Sequence, residues 1–144
     1  MVPIAKTQDC LNFQLRRTSR LLSRYYDDAL RPLGLRGTQF NLLAVLAQTG
    51  PIAITVLADL VGMERSALAR NLKPIERRKL VTVTPGKDKR TRTVTLAPLG
   101  RRKLEEALPE WDQAQTQLIR KMPGRASGLV QALAKIRTAL GEGG

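Results

Sequence analysis

Four consecutive segments between Thr55 and Leu96 constrain this chain more than any other part of it. Leu57, Leu60 and Val61 fall on one face of a short helix from Thr55 to Val61. Gly62 follows and supplies a tight turn, because glycine adopts backbone angles that other residues avoid. A second helix runs from Glu64 to about Lys79, with Glu64 suited to the positive end of its dipole. Two runs that alternate Val or Leu with Thr, Leu80 to Thr84 and Thr91 to Leu96, then read as strands of a hairpin.

The second of these helices has two unlike faces. At about 100° per residue, Leu68, Leu72 and Ile75 fall together. Ser66, Arg70, Lys73 and Arg77 fall opposite them. One face packs and the other offers three cations and a hydroxyl. Pro74 interrupts the pattern, since proline lacks an N–H and crowds the carbonyl four residues back. The helix either bends there or ends near Leu72 and restarts.

Charge follows the same segments. From Met63 to Lys103 there are thirteen Lys or Arg and three acids, a net of +10 in a chain whose total is +13. Such concentration points to a polyanion, nucleic acid before membrane. The longest unbroken apolar run, Leu42 to Ala47, is far short of the ~20 residues a span requires. The opening residues lack the pattern of a secretory signal, so a cytoplasmic location is expected.

Absences narrow the chemistry. The chain has no His and one Cys. Catalytic triads built on His and the usual zinc ligand sets are therefore excluded. No glycine-rich phosphate loop is present. The reading is of a protein that is not an enzyme, with no cofactor and no metal.

Helix, turn, cationic helix and cationic hairpin are the parts of a winged helix–turn–helix, a fold that inserts a helix into the major groove of DNA. Arginine there holds guanine O6 and N7 together. Arg65, Ser66, Ala67 and Arg70 are assigned to base edges, with Ala67 against a thymine methyl. Lys73 and Arg77 are assigned to phosphate. In the hairpin loop, Arg90 suits the narrow minor groove, and Lys87, Lys89 and Arg92 add phosphate contacts. Asp88 has two readings: it orients Arg90 or Arg92 by pairing, or it favours the turn.

The flanks are helical. Leu11, Leu15, Thr18, Leu22, Tyr25 and Ala29 form one stripe, with Arg16, Arg17, Arg20 and Arg24 elsewhere on the helix; Pro32 and Gly34 end it. Thr38 to Gln48 is a second helix, with Phe40, Leu43 and Leu46 or Ala47 inward. A long helix runs from Pro98 through Leu104, Leu108, Trp111, Leu118 and Met122, with Pro109 expected to kink it. The last carries Leu129, Leu133, Ile136 and Leu140. The architecture expected is mainly α with a small β-hairpin wing. Residues 37–97 form the winged domain, 6–34 and 98–140 a helical dimerisation region, and 141–144 a flexible tail. The small winged domain cannot cover all the flanking apolar stripes, so a second copy is the natural cover.

These residues resemble the MarR family of bacterial transcription regulators. The family's wing signature, Asp-x-Arg-x-Arg, stands here as Asp88-Lys89-Arg90-Thr91-Arg92. Leu96-Ala97-Pro98-Leu99-Gly100 is similar to the family's Leu-Thr-x-x-Gly. Leu57-Ala58, Gly62, Leu68, Leu80, Val81 and the pair Gln39-Phe40 also stand where the family has them. Two departures are Lys79, where glycine commonly precedes the first strand, and Pro74. The resemblance implies a homodimer on double-stranded DNA with a pseudo-palindromic operator, and release by a small aromatic or anionic ligand or by an oxidant. Phe13, Tyr25, Phe40 and Trp111 are the aromatic candidates for an effector site, with Arg17 for a carboxylate. Cys10, at the start of the first helix, is either a redox sensor or a small apolar residue in an interface. The competing reading is a non-specific or architectural nucleic-acid-binding protein without effector sensing.

Overall fold

The computed structural model describes residues 1–142. Six α-helices and three short strands follow in the order α1 (Leu11–Leu30), α2 (Gly37–Thr49), β1 (Ile52–Ala53), α3 (Ile54–Val61), α4 (Arg65–Arg77), β2 (Val81–Pro85), β3 (Arg92–Leu96), α5 (Pro98–Arg120) and α6 (Ala126–Ala139). Short 3-10 turns precede α1 and link it to α2. Two compact units divide the chain, Met1–Trp111 and Asp112 onward. In the first unit the fold is mainly α with a small antiparallel sheet, a winged helix.

The core of that unit is almost wholly aliphatic. Leu42, Leu43 and Leu46 of α2, Leu57 of α3, Leu68 and Ile75 of α4, Val81 of β2 and Val94 of β3 are all buried. Burying such a side chain stabilises by about 1.5–3 kcal/mol, so the inner face of α4 anchors it firmly and its outer face is left for other work. Pro74 does not end α4, which continues to Arg77. Likewise α5 runs on as helix through Pro109 to Arg120.

Packing differs from the periodicity at several points. In α3 the partner of Leu57 is Ala58, 2% exposed, whereas Leu60 is 56% exposed. The sheet has a third strand. Ile52 and Ala53 pair with Val94 and Thr93, giving the order β1-β3-β2. Two residues cannot display an alternation, so this strand has no signature of its own. In the hairpin, Val83 faces Val94 and Pro85 faces Arg92. The N-terminal part of α1 leaves Leu11, Phe13, Leu15 and Leu21 exposed. Leu108 of α5 is exposed as well, although its place in the stripe had it inward.

The second unit contains the end of α5 and α6. Leu129 and Leu140 are exposed, while Leu133 and Ile136 are half-buried. The expected tail at 141–144 begins with contacts: Glu142 donates its backbone N–H to the Arg137 carbonyl and its carboxylate pairs with the Arg137 guanidinium at 3.0 Å. Its last two positions lie outside the described residues.

Two backbone positions set the geometry between α4, the sheet and α5. Lys79 has φ +59, and among the described residues no other non-glycine has a positive φ. Its N–H donates to the Glu76 carbonyl at 2.8 Å and the Leu80 N–H donates to the Ile75 carbonyl at 2.9 Å. This is the helix-ending motif that favours glycine at the left-handed position. A side chain there costs about 1–2 kcal/mol, against the ~0.5–1 kcal/mol of extra chain entropy that glycine brings. Lys79→Gly is therefore expected to stabilise the protein by about 0.5–1 kcal/mol, read as a higher urea midpoint at unchanged slope. Gly100 lies under the Leu80 carbonyl, and a Cβ on it would come 1.9 Å from that oxygen. Gly100→Ala is expected to destabilise by at least about 2 kcal/mol, because a backbone atom must move; a midpoint like that of the unaltered protein would refute this.

Candidate nucleic-acid interface

The turn between α3 and α4 positions the interface. Gly62 takes φ +65 and ψ +34. Its N–H donates to the Asp59 carbonyl at 3.2 Å, and the Met63 N–H donates to the Ala58 carbonyl at 2.9 Å. This closes the end of α3 and redirects the chain within three residues. Glu64 is the residue that precedes the first turn of α4 rather than a member of it.

The two faces of α4 are as the periodicity predicts. Leu68, Leu72 and Ile75 are buried, and Arg65, Ser66, Arg70, Lys73 and Arg77 are exposed. Ala67 is half-buried, and its carbonyl accepts a hydrogen bond from Asn71 Nδ2 at 2.9 Å. None of the exposed cations of α4 enters an ion pair among the described residues. Their charge is left uncompensated by the protein.

The wing loop is closed from within. The Gly86 N–H donates to the Thr91 carbonyl at 2.8 Å, and the Thr91 N–H and hydroxyl both donate to the Asp88 carbonyl at 2.9 Å. Asp88 Oδ1 accepts the backbone N–H of Arg90 at 3.1 Å. No ion pair joins Asp88 to Arg90 or Arg92 among the described residues. The carboxylate therefore fixes the backbone at the tip rather than an arginine side chain, because a bond two residues along needs no long side chain to be ordered. Lys87, Lys89, Arg90 and Arg92 project from this braced loop, all exposed. Arg101 and Arg102, near the start of α5, are also exposed and form no ion pair among the described residues; they entered the charge excess without a role.

The effector candidates do not form one group. Phe40 is 4% exposed and stacks on Trp111 with ring centroids 5.6 Å apart, so both belong to the core packing. Cys10, Phe13 and Arg17 are exposed near the start of α1. Tyr25 meets Tyr26 edge to face at 5.5 Å.

Residues 33–91 match the MarR family. A crystal structure of the Mycobacterium tuberculosis transcriptional regulator MosR in complex with DNA is 35% identical, with a TM-score of 0.83 over 91% of this chain and 96% of that one. The chain belongs to the MarR family. An uncharacterised HTH-type transcriptional regulator of Bacillus subtilis, YwoH, is 28% identical over 93 residues, 65% of this chain and 68% of that protein. CouR from Rhodococcus jostii, solved with p-coumaroyl-CoA, shares the fold at 20% identity, with a TM-score of 0.76 over 95% of this chain and 96% of that one. MosR and YwoH are transcriptional regulators and not enzymes, and this MarR-family chain is a DNA-binding transcriptional regulator of the same kind. Among the described residues, no helix is long and apolar enough to cross a membrane.

Burial, and then the neighbouring Tyr25, raise the Tyr26 pKa above its ordinary 10.0. The unfolded chain ionises first as pH rises. The stability gained by burying the neutral phenol is therefore present below 10.0 and lost as pH climbs through the raised value. In an alkaline titration followed by tyrosinate absorbance, a late-ionising component is expected that Tyr26→Phe removes.

Proposed function

We propose that this protein is a sequence-specific regulator that binds double-stranded DNA as a homodimer. On this reading it represses transcription in the cytoplasm until a small ligand or an oxidant releases it. The observation that carries the reading is α4: one face fully buried, the other cationic, exposed and unpaired. A helix presented in this way fits the major groove, and cations without internal partners remain available to bases and phosphates.

Arg65, Ser66, Ala67 and Arg70 read base edges, while Lys73 and Arg77 hold phosphate. Arg90 enters the minor groove, and Lys87, Lys89 and Arg92 grip the backbone beside it. Asp88 serves by bracing the loop that carries them. Exposed Leu11, Phe13, Leu15 and Leu21 support a second copy as the cover of α1. Residues 6–34 and 98–140 then serve as the dimerisation region around the winged domain, 37–97. A two-fold pair implies a pseudo-palindromic operator with half-sites ~34 Å apart. With Phe40 and Trp111 stacked in the core, Cys10, Phe13, Arg17 and Tyr25 are the effector or redox candidates outside that stack.

Selection of bound sites from random duplexes tests this directly. A palindromic consensus at least ~10³-fold tighter than scrambled DNA is expected; equal, strongly salt-dependent affinity for every sequence would instead identify an architectural protein. On the selected site, Arg70→Ala should cost about 1–3 kcal/mol and relax preference at one position. Lys73→Ala should weaken all duplexes alike and lower the salt slope by about 1 per site. Equal losses on selected and scrambled DNA for Arg70→Ala would remove its base-reading role.

A further inference from the structure

A cavity of about 500 Å³ lies where the link between α1 and α2 meets the end of α4. Asp27, Arg31, Gly34, Arg36, Gln39 and Arg78 line it. Three arginines thus line one small space with a single carboxylate. That carboxylate is already engaged, because Asp27 Oδ1 accepts the Gly37 N–H at 2.7 Å. Gln39 is 9% exposed, and its Oε1 accepts the Arg36 N–H at 3.0 Å. Arg31 pairs with Asp28, outside the cavity. Neither Arg36 nor Arg78 forms an ion pair among the described residues, and Arg78 Nη1 donates to the Gly34 carbonyl. The balance is two cations without an ion pair among the described residues, one of them resting on a carbonyl, a third shared with Asp28, and the N-terminus of α2.

We infer that this cavity binds a compact oxyanion, a carboxylate or a phosphate, and that Arg78 reports its occupancy to α4. Paired guanidinium forks match the two oxygens of such a group and are weakly hydrated, so they part with water readily. Arg78 directly follows the last residue of α4, and its own N–H donates to the Pro74 carbonyl at 3.2 Å. An anion that draws the Arg78 side chain from the Gly34 carbonyl acts on the end of the helix whose other face carries Arg70. The cavity shares no residue with the effector candidates on α1 or with the DNA-facing set. The regulatory half of this inference rests on the effector-released reading above; the binding half does not.

The test is calorimetric titration of the whole protein, without DNA, with inorganic phosphate and separately with benzoate. Ionic strength is held constant with chloride. Saturable binding of one anion per chain is expected for at least one probe, and the stronger of the two identifies the oxyanion class. Arg36 is exposed and its side chain makes no ion pair, so Arg36→Ala is expected to fold normally and to weaken binding about tenfold or more. Arg78→Lys keeps the charge but loses the fork and should weaken it too, whereas Lys135→Ala, at an exposed position outside the cavity lining, should not. Binding that fails to saturate, or that Arg36→Ala leaves unchanged, overturns the site. In a second arm the bound anion should weaken affinity for the selected duplex in the unaltered protein and not in Arg36→Ala. If Arg36→Ala instead weakens DNA binding without any anion, the arginines are a phosphate clamp for DNA and the regulatory role falls. A protein without sequence preference would fail the functional reading while the first arm still decides the cavity.

Discussion

The backbone of Leu80 ties α4 to the sheet and to the start of α5. Its N–H ends α4 through the Ile75 carbonyl, and its carbonyl accepts the Ala97 N–H at 3.0 Å just before α5 begins. Gly100 then lets the first turn of α5 lie directly on that carbonyl. One residue therefore joins α4, the sheet and the start of α5 at backbone distance. With so little slack, a shift at this corner moves α4 as a body. Lys79, strained at the same corner, occupies the only described non-glycine position with positive φ. The chain tolerates the strain because the buried Leu80 beside it fixes where the turn must end.

Electrostatics and packing divide α4 cleanly. Aliphatic burial holds the helix without any help from its charged residues, so the charges are free of structural duty. That separation explains why a net of +10 can sit in so small a region, whose one ion pair among the described residues is Lys103 with Glu106. Self-repulsion among exposed cations is modest in water and is screened by salt over about 8–10 Å. Cations of this kind release counterions when they meet the phosphates of a duplex, a large source of affinity in nucleic-acid binding. The wing follows the same plan, with backbone bonds closing its loop and leaving the cations outside.

Local features were legible. The inward set Leu68, Leu72 and Ile75 followed from the helical period, and the turn at Gly62 from glycine's freedom. The hairpin followed from the Val and Thr alternation. The misreadings have a common cause. Leu60 and Ala58 flank Leu57 on either side of a two-turn helix, about 60° and 100° away from it, and spacing alone cannot say which flank is covered by α2 and α4. β1 exists because the free edge of β3 lies within reach of Ile52, not because its two residues insist on being a strand. Of the two roles open to Asp88, the backbone bond formed, since it orders no long side chain. Phe40, read both as an inward residue of its helix and as an effector candidate, stacks on Trp111, a pairing that no local spacing announces.

Helix, turn and strand types, the apolar side of α4 and the cationic surplus are written in short stretches of the chain. Each depends on residues within a turn or two of one another, where spacing and backbone preference act alone. The arginine cavity is of another kind. Arg78 reaches Gly34, 44 positions away, and no periodicity links them. Which cations share a space, which carboxylate is already occupied and which strand edge is filled are matters of distance between remote segments, and those distances exist only once the aliphatic core has closed.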